Sequence, residues 1–134
     1  ICYESIYGEL FGKFVQNGAK LMTVITNDSW WDDSQGHKQH FEMSRLRAVE
    51  TRRYIVRAAN GGFSGIIDPC GNVLKKTGYN ERTAIKATVY AQVGETFYVQ
   101  HGDYIARICV LMALAGFLFT FVCWCIEAIK RIEN

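Results

Sequence analysis

The chain has 134 residues, a net charge of +2 and near-half hydrophobic content, a length that suits one domain rather than two. So small a charge, without a glycine-rich phosphate loop, zinc-type Cys/His spacing or a long basic tract, gives no ground for a nucleic-acid partner, a metal or a cofactor. Five cysteines at irregular spacing do not read as a disulfide framework.

The chain opens Ile-Cys-Tyr-Glu, without Met or a signal-peptide pattern, and reads as a fragment whose residues 1–3 end a strand. Ser5 is the expected N-cap of a helix. Its stripe of Ile6, Leu10 and Phe14 beside Tyr7, Phe11 and Val15 is stopped by Asn17-Gly18. The nearly all-apolar Leu21–Thr26 predicts a strand covered on both faces.

A polar loop over Asn27–Gly36 carries two adjacent tryptophans, Trp30 and Trp31, and a second helix is expected from about His37 to Arg53. On a helical wheel Met43, Leu46 and Val49 form its buried face, with Glu50 and Arg53 on the same side. Glu50 is therefore expected to pair with Arg47 or Arg53. Lys38, Arg45, Arg47, Arg52, Arg53 and Arg57 make this stretch basic; they suit a solvated face, and some can meet lipid phosphates.

Strands are predicted at Ile55–Ala59 and Phe63–Ile67, joined through Asn60-Gly61-Gly62. A turn at Asp68–Asn72, with Cys70 as an exposed bystander, leads to strands at Val73–Lys76 and Thr83–Tyr90. Alternation of strand and helix makes this an α/β layered arrangement.

From Ile108 to Ile126 nineteen residues run without a charge, roughly 28 Å as a helix against about 30 Å of hydrocarbon. Tyr104 and Trp124 near its ends suit membrane interfaces, and a buried core helix rarely stays apolar all round for so long. Lys130 and Arg131 beyond it outweigh Arg107 before it, which places the C-terminus in the cytoplasm and residues before 104 outside. The expected divisions are 1–103 globular, 104–127 transmembrane and 128–134 a short cytoplasmic tail.

Cys2 is the one cysteine in a context that suggests chemistry. A thiol between a strand and a helix N-terminus meets unpaired N–H groups that favour a thiolate and a developing oxyanion. Spacing alone leaves a buried structural cysteine equally open.

Four segments in order carry a resemblance: Cys2-Tyr3-Glu4, Asn27-Asp28, Arg47-Ala48-Val49-Glu50 and Ala59-Asn60-Gly61-Gly62. Together they resemble the C-terminal half of a nitrilase-type (carbon–nitrogen hydrolase) α-β-β-α sandwich. Asn27-Asp28-Ser29-Trp30-Trp31, Gln39-His40 and Arg45–Thr51, with the helix at 108–126, are similar to the apolipoprotein N-acyltransferase family within it.

The resemblance implies a Glu-Lys-Cys triad with Cys2 as nucleophile and the glutamate base and lysine upstream of residue 1. Tyr3 and Glu4 are implied as supporting residues; Glu4 is not the base. Trp30 is implied at an entrance loop, although its residue type fits a core or interface aromatic as well.

The implied reaction moves an acyl chain from a phospholipid donor, through a Cys2 thioester, to the N-terminal amine of a diacylglyceryl apolipoprotein acceptor, with no cofactor. The implied parent is a monomeric, multi-pass protein of the bacterial inner membrane with its catalytic domain on the periplasmic side. A membrane-anchored carbon–nitrogen hydrolase and a non-catalytic fragment remain the alternatives.

Overall fold

A computed structural model describes residues 2–133, without the side chains of Lys130, Ile132 and Glu133. Expectations that fall on Ile1, on the Lys130 side chain and on Asn134 lie outside the described residues. The chain divides into two compact units, Ile1–Gly102 and Asp103–Asn134.

The first unit is a four-stranded sheet in the order β1 (Met22–Asn27), β2 (Ile55–Asn60), β3 (Gly65–Ile67) and β4 (Val73–Lys76). β1 and β2 run parallel, from Met22 opposite Ile55 to Asn27 opposite Asn60. A parallel pair needs a long crossover, and here α2 (Gln35–Thr51) supplies it. β2, β3 and β4 are antiparallel neighbours, with a register shift at Ile66/Ile67.

Ahead of the sheet lie a 3-10 turn, Cys2–Ile6, and α1 (Gly8–Gln16). A short α3 (Phe97–His101) packs on α1, where Gln16 Nε2 donates to the Val99 carbonyl at 2.6 Å. Phe11, Met22, Val24, Phe41, Ala48, Ile55 and Ile67 form the apolar core between helices and sheet. The fold is α/β, as the alternating pattern predicts.

Several local expectations are met closely. Asn17-Gly18 ends α1, with Gly18 at φ 91° and the Asn17 N–H donating to the Lys13 carbonyl. At Asp68–Asn72 the Asp68 carboxylate accepts from the Cys70 and Asn72 N–H groups at 2.8 and 2.9 Å. Cys70 is exposed, and β4 has the predicted limits. Arg47 Nη2 meets Glu50 Oε1 at 3.1 Å, so Arg47 is the predicted partner.

Others are corrected. Cys2 and Tyr3 belong to a 3-10 turn rather than a strand end; Cys2 sits at φ 51°, which no strand accommodates. Ser5 caps nothing: it is fully buried, its hydroxyl faces His40, and Tyr7 precedes α1 without a side-chain cap. β1 is covered on one face only, burying Met22, Val24 and Thr26 while Ile25 is 64% exposed.

The orientation of α2 is the largest correction. Met43, Leu46 and Val49 face outward, and the buried face is His37, His40, Phe41, Ser44, Arg47, Ala48 and Thr51. A polar layer on the sheet below draws this polar side in. Arg47, Arg53 and Arg57 are each at most 5% exposed, so they are not part of a solvated or lipid-facing basic surface. Arg53 donates to the carbonyls of Ala19, Thr51, Arg52 and Gly94 instead of joining Glu50.

Thr83–Tyr90 forms no strand. Its alternation is real, but no sheet edge pairs with it among the described residues; a side-chain bond from Lys75 Nζ to the Lys86 carbonyl holds it at 2.6 Å.

The second unit is a single helix, α4 (Tyr104–Glu133). Its segment Tyr104–Ile129 has a mean hydropathy of 2.4 and no buried share, long and apolar enough to cross a membrane. The Thr120 hydroxyl donates back to the Phe117 carbonyl at 2.8 Å, which satisfies that hydroxyl within the uncharged stretch.

Candidate active site

The site gathers where β1 and β2 end. Side chains alternate along β1, so Thr26 points toward the helices and Asn27 away from them. The Asp28 N–H then donates to the Asn60 carbonyl at 2.8 Å, extending the pairing by one residue and carrying the Asp28 side chain inward.

Asp28 is fully buried and collects three donors. Arg57 Nη2 lies 2.6 Å from Oδ2, while His40 Nδ1 and the Thr26 hydroxyl lie 3.0 and 2.8 Å from Oδ1. Arg57 also donates to the Ser44 hydroxyl at 2.9 Å and to the Phe63 carbonyl at 3.2 Å. Every charge in this layer is therefore paired, the condition under which a carboxylate tolerates burial.

Gly62 closes over this carboxylate, and Gly61 packs on Ser29 beside it. A Cβ on Gly62 would stand 2.6 Å from Asp28 Oδ2, and Gly61 has φ 72°, which glycine adopts without cost.

Two strands of bonding run from Asp28 to the turn that bears Cys2. The Thr26 hydroxyl is 3.2 Å from Cys2 Sγ, and His40 Nε2 is 2.8 Å from the Ser5 hydroxyl. A carboxylate can only accept, so the Asp28 bond draws a proton to His40 Nδ1, although Arg57 Nη2 lies 3.0 Å from the same nitrogen, and Nε2 is left facing the Ser5 hydroxyl. Ser5, His40 and Asp28 thus have the order of a hydrolytic triad. With no exposed surface, Ser5 is a clamp on the turn and not a nucleophile.

Cys2 is partly exposed and carries the reactive-looking thiol of the region. The Thr26 hydroxyl bond is the largest influence holding it below its ordinary value, followed by the backbone bond from Asn27. Partial burial and the negative Asp28 oppose this, and the Tyr3 backbone adds to it. A thiol so placed is richer in thiolate, the form that attacks.

Around it, Tyr3 meets Trp31 and His40 at ring separations of 5.9 and 5.7 Å. Trp30, 64% exposed, stacks on Trp31 at 4.6 Å with its Nε1 bonded to the Asn27 carbonyl at 2.7 Å. A groove of about 240 Å³ opens between Tyr3, Trp31, His40 and Met43. Glu4 is exposed on the same turn.

The structure thus brings Cys2, Tyr3 and the tryptophan pair to one place. The sequence reading missed Thr26, Ser5, Ser44 and Arg57 and treated Asp28 and His40 only as motif letters. One signal was available: a helix with polar residues recurring at His37, His40, Ser44, Arg47 and Thr51 carries a polar stripe of its own. Among the described residues no cluster of three or more His, Cys, Asp or Glu converges as a metal site.

Comparison with known proteins identifies the family. The carbon–nitrogen hydrolase family profile matches residues 1–98. The chain is 38% identical over 116 residues to the apolipoprotein N-acyltransferase of Thermotoga maritima, covering 87% of this chain and 23% of that protein. It is 37% identical over 118 residues to that of Chlorobaculum tepidum, covering 88% and 22%. To that of Wigglesworthia glossinidia brevipalpis it is 36% identical over 133 residues, covering 99% and 25%. The chain spans about a quarter of the length of these relatives. With a family match across residues 1–98, most of its length, the chain belongs to the carbon–nitrogen hydrolase family.

Proposed function

We propose that the protein carrying this chain moves an acyl chain from a phospholipid to the N-terminal amine of a diacylglyceryl-cysteine apolipoprotein, with Cys2 as the nucleophile. The observation that supports this best is the partly exposed Cys2 sulfur, 3.2 Å from the Thr26 hydroxyl in a chain 36–38% identical to proteins named apolipoprotein N-acyltransferase.

In this reading a glutamate base upstream of residue 1, assisted by a lysine, takes the thiol proton. The thiolate attacks the ester carbonyl of the phospholipid; the C–O bond breaks and the lysophospholipid leaves with the proton. The acceptor amine then attacks the Cys2 thioester and loses a proton to the base, forming the amide and freeing the thiol. Tyr3 and Glu4 support the turn that carries Cys2, and Trp30 stands at the rim by which substrates enter.

Both substrates are lipids, so the reaction belongs at a bilayer surface. The helix Tyr104–Ile129 is suited to hold it there. We assign the catalytic unit to the periplasmic side of the bacterial inner membrane in a monomeric, multi-pass parent.

The test is to incubate the full-length protein with phospholipid and a diacylglyceryl peptide, and to examine Cys2 by peptide mass spectrometry. An acyl adduct on Cys2 and an amide product are expected, both absent in Cys2→Ala. Free fatty acid alone points to hydrolysis and sinks the transferase reading. Activity kept in Cys2→Ala removes Cys2 from the mechanism.

A further inference from the structure

We infer that Thr26 is a positioning residue for Cys2: its hydroxyl, anchored beside Asp28, is the side-chain donor that aims the sulfur and joins the backbone of Asn27 and Tyr3 in bonding its thiolate form. This rests on reading Cys2 as the nucleophile.

Thr26 Oγ1 lies between two acceptors, 2.8 Å from Asp28 Oδ1 and 3.2 Å from Cys2 Sγ, yet a hydroxyl has one proton to give. While Cys2 is a thiol, its own S–H points at the Thr26 oxygen and the Thr26 proton points at Asp28. When Cys2 ionises, the thiol proton leaves to the base and the Thr26 hydroxyl rotates onto the sulfur. Nothing is transferred from Thr26; one hydrogen bond changes partner.

The surroundings make that exchange cheap. Asp28 gives up one neutral donor but keeps Arg57 at 2.6 Å and His40 at 3.0 Å, so it is not left short of partners. Bonds to the charged guanidinium are the stronger ones in such a set. Thr26 is 6% exposed, so water does not compete for the hydroxyl. Thr26 is also β-branched within β1, which limits its side-chain rotation and places the oxygen from the backbone outward.

The charges facing the sulfur do not duplicate this role. Asp28 opposes the thiolate and Arg57 favours it, and the two form one buried pair. His40, from α2, is turned to Asp28 and Ser5. Tyr3 and the exposed Glu4 share the turn with Cys2. Among the described residues Thr26 is the side chain that bonds the sulfur, beside the backbone of Asn27 and Tyr3. Cys2 at φ 51° needs such a restraint, since a non-glycine residue costs about 1 kcal/mol or more in that region.

The experiment measures the iodoacetamide alkylation rate of Cys2 against pH in the full-length protein in detergent micelles, resolved by peptide mass spectrometry. Exposed Cys70 in the same digest is the internal reference. Thr26→Val and Thr26→Ala both remove the hydroxyl; two are used so that a packing defect in one does not decide the result. Both are expected to move the midpoint of the Cys2 profile up by about one pH unit, an approximately tenfold slower reaction at pH 7 with the alkaline plateau unchanged. Thr26→Ser is expected to restore the parent profile, and Cys70 to stay constant throughout.

Parent-like midpoints in both hydroxyl-lacking variants overturn the inference, as does a Thr26→Ser midpoint shifted equally. Alkylation is read on the free Cys2 thiol in protein kept from phospholipid, and the acyl adduct in a separate incubation with phospholipid. A missing acyl adduct with a shifted midpoint therefore sinks the nucleophile reading alone, and an adduct with an unshifted midpoint sinks the role of Thr26 alone.

Discussion

Replacing Asp28 by asparagine tests the buried layer most directly. The substitution keeps shape but removes the charge opposite Arg57, both side chains being without exposure. It also turns one of two accepting oxygens into a donor. Whichever way the amide turns, its NH2 faces either Arg57 or the Thr26 and His40 donors. Breaking a buried pair by removing one partner costs about 3–5 kcal/mol. Against a domain stability of about 5–15 kcal/mol that is a large share.

Thermal unfolding of the purified protein, followed by circular dichroism, is expected to drop by on the order of 10 °C. Adding Arg57→Met should recover part of the loss, with a coupling of at least about 2 kcal/mol in the double-mutant cycle. An Asp28→Asn protein within about 0.5 kcal/mol of the parent, as for an ordinary surface change, refutes the reasoning.

The same carboxylate predicts a pH dependence. Burial pushes the Asp28 carboxyl up, but the His40 bond, the Arg57 charge and the Thr26 hydroxyl together hold it below the usual carboxylate range. A depressed folded value means its stabilisation is complete above the unfolded value, about 3.9, and is lost as pH falls through the folded value. The parent should therefore lose stability below about pH 4, and Asp28→Asn should lose less across that window.

Two further substitutions probe the frame. Gly62→Ala would place a Cβ 2.6 Å from Asp28 Oδ2, so it should cost about 1–3 kcal/mol and slow Cys2 alkylation; an unchanged melting temperature counts against the close approach. Arg52 ends α2 at φ 52°, a left-handed position that suits glycine. Arg52→Gly should gain about 0.5–1 kcal/mol, a rise of a few degrees in the melting temperature; a fall would show that its exposed 3.8 Å contact with the Cys70 sulfur matters more.

The parts of the fold legible in the sequence were those written in local chemistry. Asn17-Gly18, Asp68–Asn72 and the charge-free stretch after Arg107 each act through neighbours in the chain, and each is where it was expected. What failed depended on distant partners. Met43, Leu46 and Val49 look like a buried stripe until Arg57 and Asp28, 14 and 15 positions from Met43, are placed beneath the opposite face. Thr83–Tyr90 alternates like a strand but finds no edge. Ser5 has the chemistry of a cap, yet His40 takes its hydroxyl from 35 positions away. Cys2 was legible as a candidate because its neighbours matched a family, whereas the hydroxyl beside it lay inside a strand that reads as plain core.

The parallel register of β1 and β2 has one more consequence, for engineering. Met22 stands opposite Ile55 at one end and Asn27 opposite Asn60 at the other, about 16 Å apart along the strand. Apolar packing dominates the first end; the polar layer occupies the second. A stabilisation campaign confined to Phe11, Met22, Ile55 and Ile67 therefore works on the foundation and leaves the reactive end alone. Changes at Thr26, Asp28 or Arg57 alter thermal tolerance and thiol reactivity together, because there the same atoms serve both.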